Sequence, residues 1–417
     1  MMPPTLWLNR LTQARWFGSK GLTVQTLNLQ PLDWYVSEGE VWVRSELAEV
    51  ALAESTETYH LLVGYLPLGS AEAEALVGQV DLPGRGWVDI VDAPYSPQAM
   101  SALLQALAKR EIAGLTWFDT LPDPASPTEV FTGEQSNTTV KVGEEVLFKI
   151  FRKPSKGPNL EAQMLAALAG SPIVPRLIGT LSSPDRGWDL GLFSARIDQA
   201  EDGWNFATAA RAADRPINDE MNGLGRALRQ LHNQLAEVFG TWLVDSQVIS
   251  HQILARIDKA CAELPELQSL SQLLRPNLDL TAVAVPIQRI HGDFHLGQAL
   301  ISPTGWTIID FEGEPAKTPQ ERVTPDSVWR DLAGLSRSLD YAWRSAKPSG
   351  GVKREWLAEA RSAFLAGYLG TQPLQRELLT AYEIDKAIYE FVYEARNRPA
   401  WVDIPRQALL EIVLGSN

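Results

Sequence analysis

Apolar residues change their period near residue 200, and this switch limits the architecture more than any other feature of the chain. Before it, short stretches such as Glu40-Val-Trp-Val-Arg-Ser45 and Tyr59-His-Leu-Leu-Val-Gly-Tyr65 lie between Gly, Pro and acidic residues, a pattern of strands and turns. The pattern recurs as Thr138–Val142, the turn Gly143-Glu-Glu145, and Val146–Phe151. Two helices are expected within this half. Pro97–Ala113 carries Met100, Leu103, Leu104 and Leu107 at helical spacing, and Pro158–Ala169 carries Leu160, Met164, Leu165 and Leu168. Beyond residue 200 helical spacing dominates, as in Leu224–His232 and Glu377–Arg396. Strands first and helices second predict an α+β chain. At 417 residues it suits two or three packed subdomains, with boundaries at the Pro-punctuated segment Ala93–Pro97 and at the change of period, giving 1–92, 93–198 and 199–417.

Charge and cysteine usage narrow the function. Lys and Arg number 37 against 51 Asp and Glu, a net charge of −14, so a broad nucleic-acid-binding surface is not expected. An anionic cosubstrate would instead need a local basic site and a metal. The single Cys261 excludes an intramolecular disulfide framework and a Cys-rich zinc site, and fits a reducing cytoplasm. The start lacks a basic segment followed by an apolar one, and eighteen apolar residues never run uninterrupted. A soluble, cytoplasmic protein with no membrane partner is expected.

Chemistry concentrates in Ile290-His-Gly-Asp-Phe-His-Leu-Gly-Gln298 and Thr307-Ile-Ile-Asp-Phe-Glu-Gly313. Phosphoryl transfer to an alcohol needs an acceptor for the hydroxyl proton and a divalent cation on the phosphates. Asp293 is the candidate catalytic base, and Gln298 and Asp310 are candidate oxygen ligands for Mg²⁺, the plain alternative being two turns decorated with acids. The turn Ser302-Pro-Thr-Gly305 between two apolar runs predicts a hairpin that brings Asp293 and Asp310 together. On the nucleotide side, Lys149 lies inside an apolar strand, where an ammonium needs an anionic partner. Glu161, twelve residues on in the next helix, is the natural one, unless Lys149 snorkels from an edge strand.

HGDFHLGQ and IIDFEG together resemble the catalytic and metal loops of aminoglycoside-phosphotransferase-like members of the kinase superfamily. With Trp329–Ala342, Tyr393–Pro405 and Arg15–Gly21, the resemblance narrows to bacterial maltokinases and covers essentially the whole chain. It implies a bilobal, protein-kinase-like α+β fold with a β-rich N-terminal cap over 1–92, a nucleotide-side lobe over 93–198 and a mostly helical C-terminal lobe over 199–417. ATP and Mg²⁺ are the implied cofactors. Where a GxGxxG loop would cover the phosphates, this chain has Gly133–Thr139, whose Ser136, Asn137 and Thr138 offer donors to phosphate oxygens; a Ser/Asn/Thr turn is otherwise a routine hairpin connection. Leu192–Ile197 falls where an interlobe hinge would meet adenine.

Sugars are bound by planar hydrogen-bonding groups and aromatic faces. His295, Tyr393, Glu394, Arg396, Asn397 and Trp401 are the acceptor-site candidates, although a helix stopped at Pro399 explains the terminal stretch equally well. His291 is expected to buttress the catalytic loop, and Arg330 with Asp331 either to brace it through a charged pair or simply to open a helix with Asp in its first turn. Glu312 is open between a second metal and a solvated role. His60, His232 and His251 are assigned to packing or surface. Three functions follow: a maltokinase making maltose 1-phosphate; a kinase of glucosamine, another amino sugar or an aminoglycoside; or a catalytically silent kinase-fold binding module. Association with a trehalose- or maltose-metabolising enzyme is an expectation of the resemblance, and oligomeric state stays open.

Overall fold

The computed structural model describes residues 4–109, 114–120, 122–131, 136–314, 317–346 and 354–415. The chain divides into two compact units, Met1–Ala169 with Pro175–Asp198, and Gly170–Val174 with Gln199–Asn417.

The first unit opens with α1 (Pro4–Gln13), followed by β1 (Thr26–Val36), β2 (Trp42–Ala51), β3 (Thr56–Pro67), β4 (Leu76–Leu82) and β5 (Gly86–Asp92), which form an antiparallel sheet of order β1-β2-β3-β5-β4. Next come α2 (Pro97–Ala108), β6 (Leu115–Trp117), β7 (Thr128–Val130), β8 (Thr138–Val142), β9 (Val146–Ile150), α3 (Leu160–Ala167), β10 (Leu177–Ser183) and β11 (Trp188–Ala195). Their strands form a second antiparallel sheet of order β6-β10-β11-β9-β8-β7.

β3 explains how the halves of this unit join. Its Tyr59, Leu61, Val63 and Tyr65 pack with Trp7 and Leu11 of α1. Leu62 and Leu66, on the opposite face, pack with Met100, Leu103 and Leu107 of α2 and with Phe148, Ile150 and Phe193 of the second sheet. Burial on both faces accounts for a strand that reads as a nearly continuous apolar run. Residues on either side of position 92 thus share one core, in which each fully buried aliphatic or aromatic side chain contributes about 2 kcal/mol. His60 is buried in this unit and bonded to Ser45 Oγ at 2.7 Å; burial holds its imidazole neutral, at about 3.

Local caps set the helix bounds. Ser96 accepts from Ala99 N at 3.3 Å ahead of Pro97, which suits the first helical turn. Residues 110–113 of the expected helix lie outside the described residues. Asn159 is extended and accepts from Ala162 N at 3.0 Å, so α3 begins at Leu160 and Pro158 stays outside it.

The second unit contains β12 (Glu201–Asp202), α4 (Gly203–Ala212), α5 (Asn218–Phe239), β13 (Thr241–Asp245), α6 (Ser246–Glu263), α7 (Gln268–Leu274), β14 (Ala284–Gln288), β15 (Ala299–Ser302) and β16 (Gly305–Ile308). After these come α8 (Pro319–Arg322), α9 (Trp329–Ser345), α10 (Arg354–Leu369), α11 (Arg376–Asn397) and α12 (Asp403–Val413). β15 and β16 pair antiparallel with Ser302 opposite Gly305, the hairpin that the Ser-Pro-Thr-Gly turn predicts. α9 is buried around most of its circumference between Trp329 and Trp343, as a central helix must be. Its buried charges are paired: Arg337 donates to Asp340 at 2.5 Å and to Glu390 of α11 at 3.0 Å. Cys261 is buried in α6. Among the described residues no helix is long and apolar enough to cross a membrane.

Candidate active site

Between β14 and β15 the chain forms the loop that carries Asp293. Gly292, at φ 85°, takes a left-handed turn that a side chain would resist. The loop rests on Asp331 of α9, whose carboxylate accepts from His291 N at 2.8 Å and Gly292 N at 2.9 Å. His232 of α5 bonds the same carboxylate at 2.9 Å through Nε2, and its Nδ1 meets the Tyr368 hydroxyl at 2.8 Å. Burial would raise the Asp331 pKa, but the His232 bond and the loop N–H groups hold it below the usual carboxylate value. α9 reaches this close because residue 334 is glycine: a Cβ there would lie 2.5 Å from the Phe294 carbonyl oxygen.

The expectation for Arg330 and Asp331 is therefore corrected. Asp331 braces the loop through backbone N–H groups and His232. Arg330 turns to Asp326 at 2.5 Å and to Asp385 of α11 at 3.1 Å. His232, assigned to packing by sequence, belongs to the brace.

His291 buttresses the loop as expected. Its ring lies 5.4 Å from Phe294 and 5.0 Å from Phe311, and Nε2 bonds the Ile309 carbonyl at 2.9 Å, tying the loop to the segment that carries Asp310. Asp310 has φ 64°, and its Oδ2 accepts from Gln298 Nε2 at 2.9 Å. The expected metal ligands thus meet across the hairpin.

Asp293 is partly buried, and its Oδ1 accepts from Lys386 Nζ of α11 at 2.9 Å. Burial raises its pKa, but the Lys386 ammonium and His295 outweigh burial and hold it at about 2. Lys386 is in turn pushed above the usual lysine value: burial opposes its charge, while Asp293, Glu314 and Glu390 favour it. His295 caps the turn Leu296–Gln298, its Nδ1 accepting from Gly297 N at 3.1 Å, and burial lowers its pKa despite the neighbouring Asp293.

Farther along α11, Tyr389 lies beneath the Lys386 ammonium at 5.1 Å and stacks on Tyr393 at 6.3 Å. Glu394 is buried and accepts from Tyr341 at 3.2 Å and Arg398 at 2.7 Å. Trp401 stacks on Tyr341 at 6.2 Å, and Arg398 lies over both Tyr393 and Trp401. Tyr393, Glu394 and Trp401 therefore converge, around an arginine the sequence did not single out. Arg396 pairs with Glu263 of α6, and Asn397 donates to the Tyr393 carbonyl at 2.9 Å, so neither joins that group.

In the first unit Lys149 of β9 meets Glu161 of α3 at 2.9 Å, both buried. Ser136 is exposed, whereas Asn137 and Thr138 are buried against Arg152. Arg152 Nε donates to Thr138 Oγ1 at 2.8 Å, and Arg152 N to Asn137 Oδ1 at 3.3 Å. Arg152 also bonds Asp92 at 3.0 Å. Gly133, Glu134 and Gln135 of the expected phosphate loop lie outside the described residues.

Comparison with known proteins identifies the family of the chain. Residues 128–377 match the phosphotransferase enzyme family, and residues 10–95 match the maltokinase N-terminal cap domain. A glucosamine kinase of Streptacidiphilus jiangxiensis is 27% identical over 395 residues, covering 84% of this chain and 90% of the relative. Another, from Mycolicibacterium smegmatis, is 26% identical over 310 residues, covering 67% and 77%. A solved glucosamine kinase (crystal form B) superposes with a TM-score of 0.70 at 22% identity, covering 99% of this chain and 97% of that one. A glucosamine kinase in complex with glucosamine, ADP and inorganic phosphate gives 0.67 at 22%, covering 99% and 100%. With a family match across most of the catalytic half and a shared kinase-like α+β fold, the chain belongs to the phosphotransferase enzyme family and is an ATP-dependent phosphotransferase.

Proposed function

We propose that the protein is a maltokinase, transferring the γ-phosphoryl group of ATP to the anomeric hydroxyl of maltose. The observation that carries this reading is the maltokinase cap match over residues 10–95, on a sheet that shares a core with α2 and the β6–β11 sheet. Asp293 Oδ1 is engaged by Lys386, and Oδ2 receives no hydrogen bond among the described residues, so it is the oxygen offered to the acceptor hydroxyl. In the transfer, the sugar oxygen forms its bond to Pγ while the bond from Pγ to the β,γ-bridging oxygen breaks. The electron pair leaves with ADP, and the hydroxyl proton passes to Asp293. A base in this role contributes about 10² to 10⁴ in rate.

Lys149, held by Glu161, and Ser136 are assigned to the nucleotide phosphates. Asn137 and Thr138 join them through the shape of their turn, since Arg152 donates to the Asn137 side-chain oxygen and the Thr138 hydroxyl. Asp310 and Gln298 offer hard oxygen donors, a set that fits Mg²⁺, and would hold it. When bound, Mg²⁺ neutralises charge on the phosphates. His295, Tyr393, Glu394 and Trp401 are assigned to the sugar, with Arg396 and Asn397 supporting the helix end that presents them. A kinase of glucosamine is the second reading, favoured by the two relatives named above. Assays of the purified protein with ATP, Mg²⁺ and either maltose or glucosamine, read by ADP release and product mass, test the choice. Maltose 1-phosphate is expected; a higher kcat/KM for glucosamine would overturn the maltose reading.

A further inference from the structure

Asp293 and the acids Asp385, Glu390 and Glu394 of α11 each meet a cation of the protein. Asp293 is held by Lys386. Glu390 pairs with Arg337, Glu394 with Arg398, and Asp385 with both Arg330 and Arg256. Glu314, also buried, acts on the same Lys386 ammonium. Recognition of a protonated amine calls for a carboxylate that no resident cation satisfies, and it is opposed by any fixed positive charge near the amine. Lys386 is such a charge. It is anchored at 2.9 Å from the base, 16% exposed, and its ammonium sits over the Tyr389 ring.

We propose that Lys386 is a specificity-determining residue that fixes the Asp293 carboxylate and selects uncharged sugars over protonated amino sugars as acceptors. The inference rests on the sugar-kinase reading but not on maltose itself. An amine on the carbon next to the reacting hydroxyl falls within about 10 Å of Lys386, inside the screening length of physiological salt or close to it. At an effective dielectric near 20, the repulsion from the Lys386 ammonium at such separations contributes up to about tenfold to acceptor preference, set against the attraction of Asp293.

Glucose and glucosamine test this as a matched pair, differing in one hydroxyl and one ammonium. Wild type is expected to favour glucose in kcat/KM. Lys386→Met should narrow that preference about tenfold, with KM for ATP unchanged, while Lys386→Arg, which keeps the charge, should preserve it. A thermal melt shows that each variant is folded, and calorimetric titration of both sugars reads the same preference where turnover is weak. If Lys386→Met leaves the glucose-to-glucosamine ratio unmoved, or wild type favours glucosamine, the inference is overturned. If wild type favours glucose but ignores maltose, the maltose reading fails while the role of Lys386 stands.

Discussion

Two largely buried lysines each hold a carboxylate at 2.9 Å, Lys149 with Glu161 in the first unit and Lys386 with Asp293 in the second, and the roles of acid and base are reversed between them. At Lys149 the cation is the working group, assigned to phosphate, and Glu161 keeps it in place. At Lys386 the proposed working group is the carboxylate, which the lysine holds well below the usual carboxylate value. On the proposed reading, the same kind of contact would hold a cation for phosphate in one unit and a base for the acceptor in the other. Removing the holder leaves the worker as a lone buried charge, which costs about 2 kcal/mol or more whichever sign it has.

Four measurements break or sharpen this contrast. The largest effect is expected at the working acid: Asp293→Asn should lower kcat about a thousandfold while ATP affinity stays within about twofold, as steady-state kinetics and a nucleotide titration would report. Equal losses in ATP affinity would erase the distinction between the pairs. Next, Glu161→Gln leaves Lys149 without its main acid and should cost about 2 kcal/mol in a denaturant titration without ligand. ATP should restore part of that, giving a larger ATP-induced rise in Tm than in wild type.

The third concerns pH. Asp293 is depressed to about 2, so the base stays ionised as pH falls, and kcat should show no inflection from it above about pH 4. The ion pair's contribution to stability is present above the unfolded carboxylate value and is lost as pH falls toward about 2. In Lys386→Met, burial acts against a weaker opposing charge, so the acid limb of kcat should move up into the ordinary carboxylate range. The smallest effect is expected for a pair in solvent: Arg396→Ala loses an exposed contact to Glu263 and should change stability by less than about 0.5 kcal/mol. A marked rise in sugar KM in that variant would return Arg396 to the acceptor site.

The contrast also separates what the sequence makes legible from what it hides. Lys149 stands out because a charge inside Val146–Ile150 needs a partner, and Glu161 is only twelve residues away. The Asp293–Asp310 hairpin is legible for a similar reason, since one turn and two apolar runs define it locally. Lys386 lies 93 residues from Asp293 on a helix rich in charge, where a lysine reads as solvated. His232 lies 99 residues from Asp331, and its role depends on how α5 and α9 pack, which no local pattern encodes. Arg152 follows Phe151 at the end of β9 and looks like a strand-terminal cation, yet it is fully buried between Asp92 and Thr138. Fold class, helix periodicity and the catalytic loops were readable because their causes are local. The braces beneath them were not, because tertiary packing decides them.

Asp310 adopts a left-handed backbone conformation that glycine takes more readily than aspartate. Selection for stability alone would favour exchanging it, and the loss would fall on the carboxylate assigned to the metal. On the proposed assignment of Asp310 to the metal, relaxing the dihedral at residue 310 would raise stability at the expense of turnover.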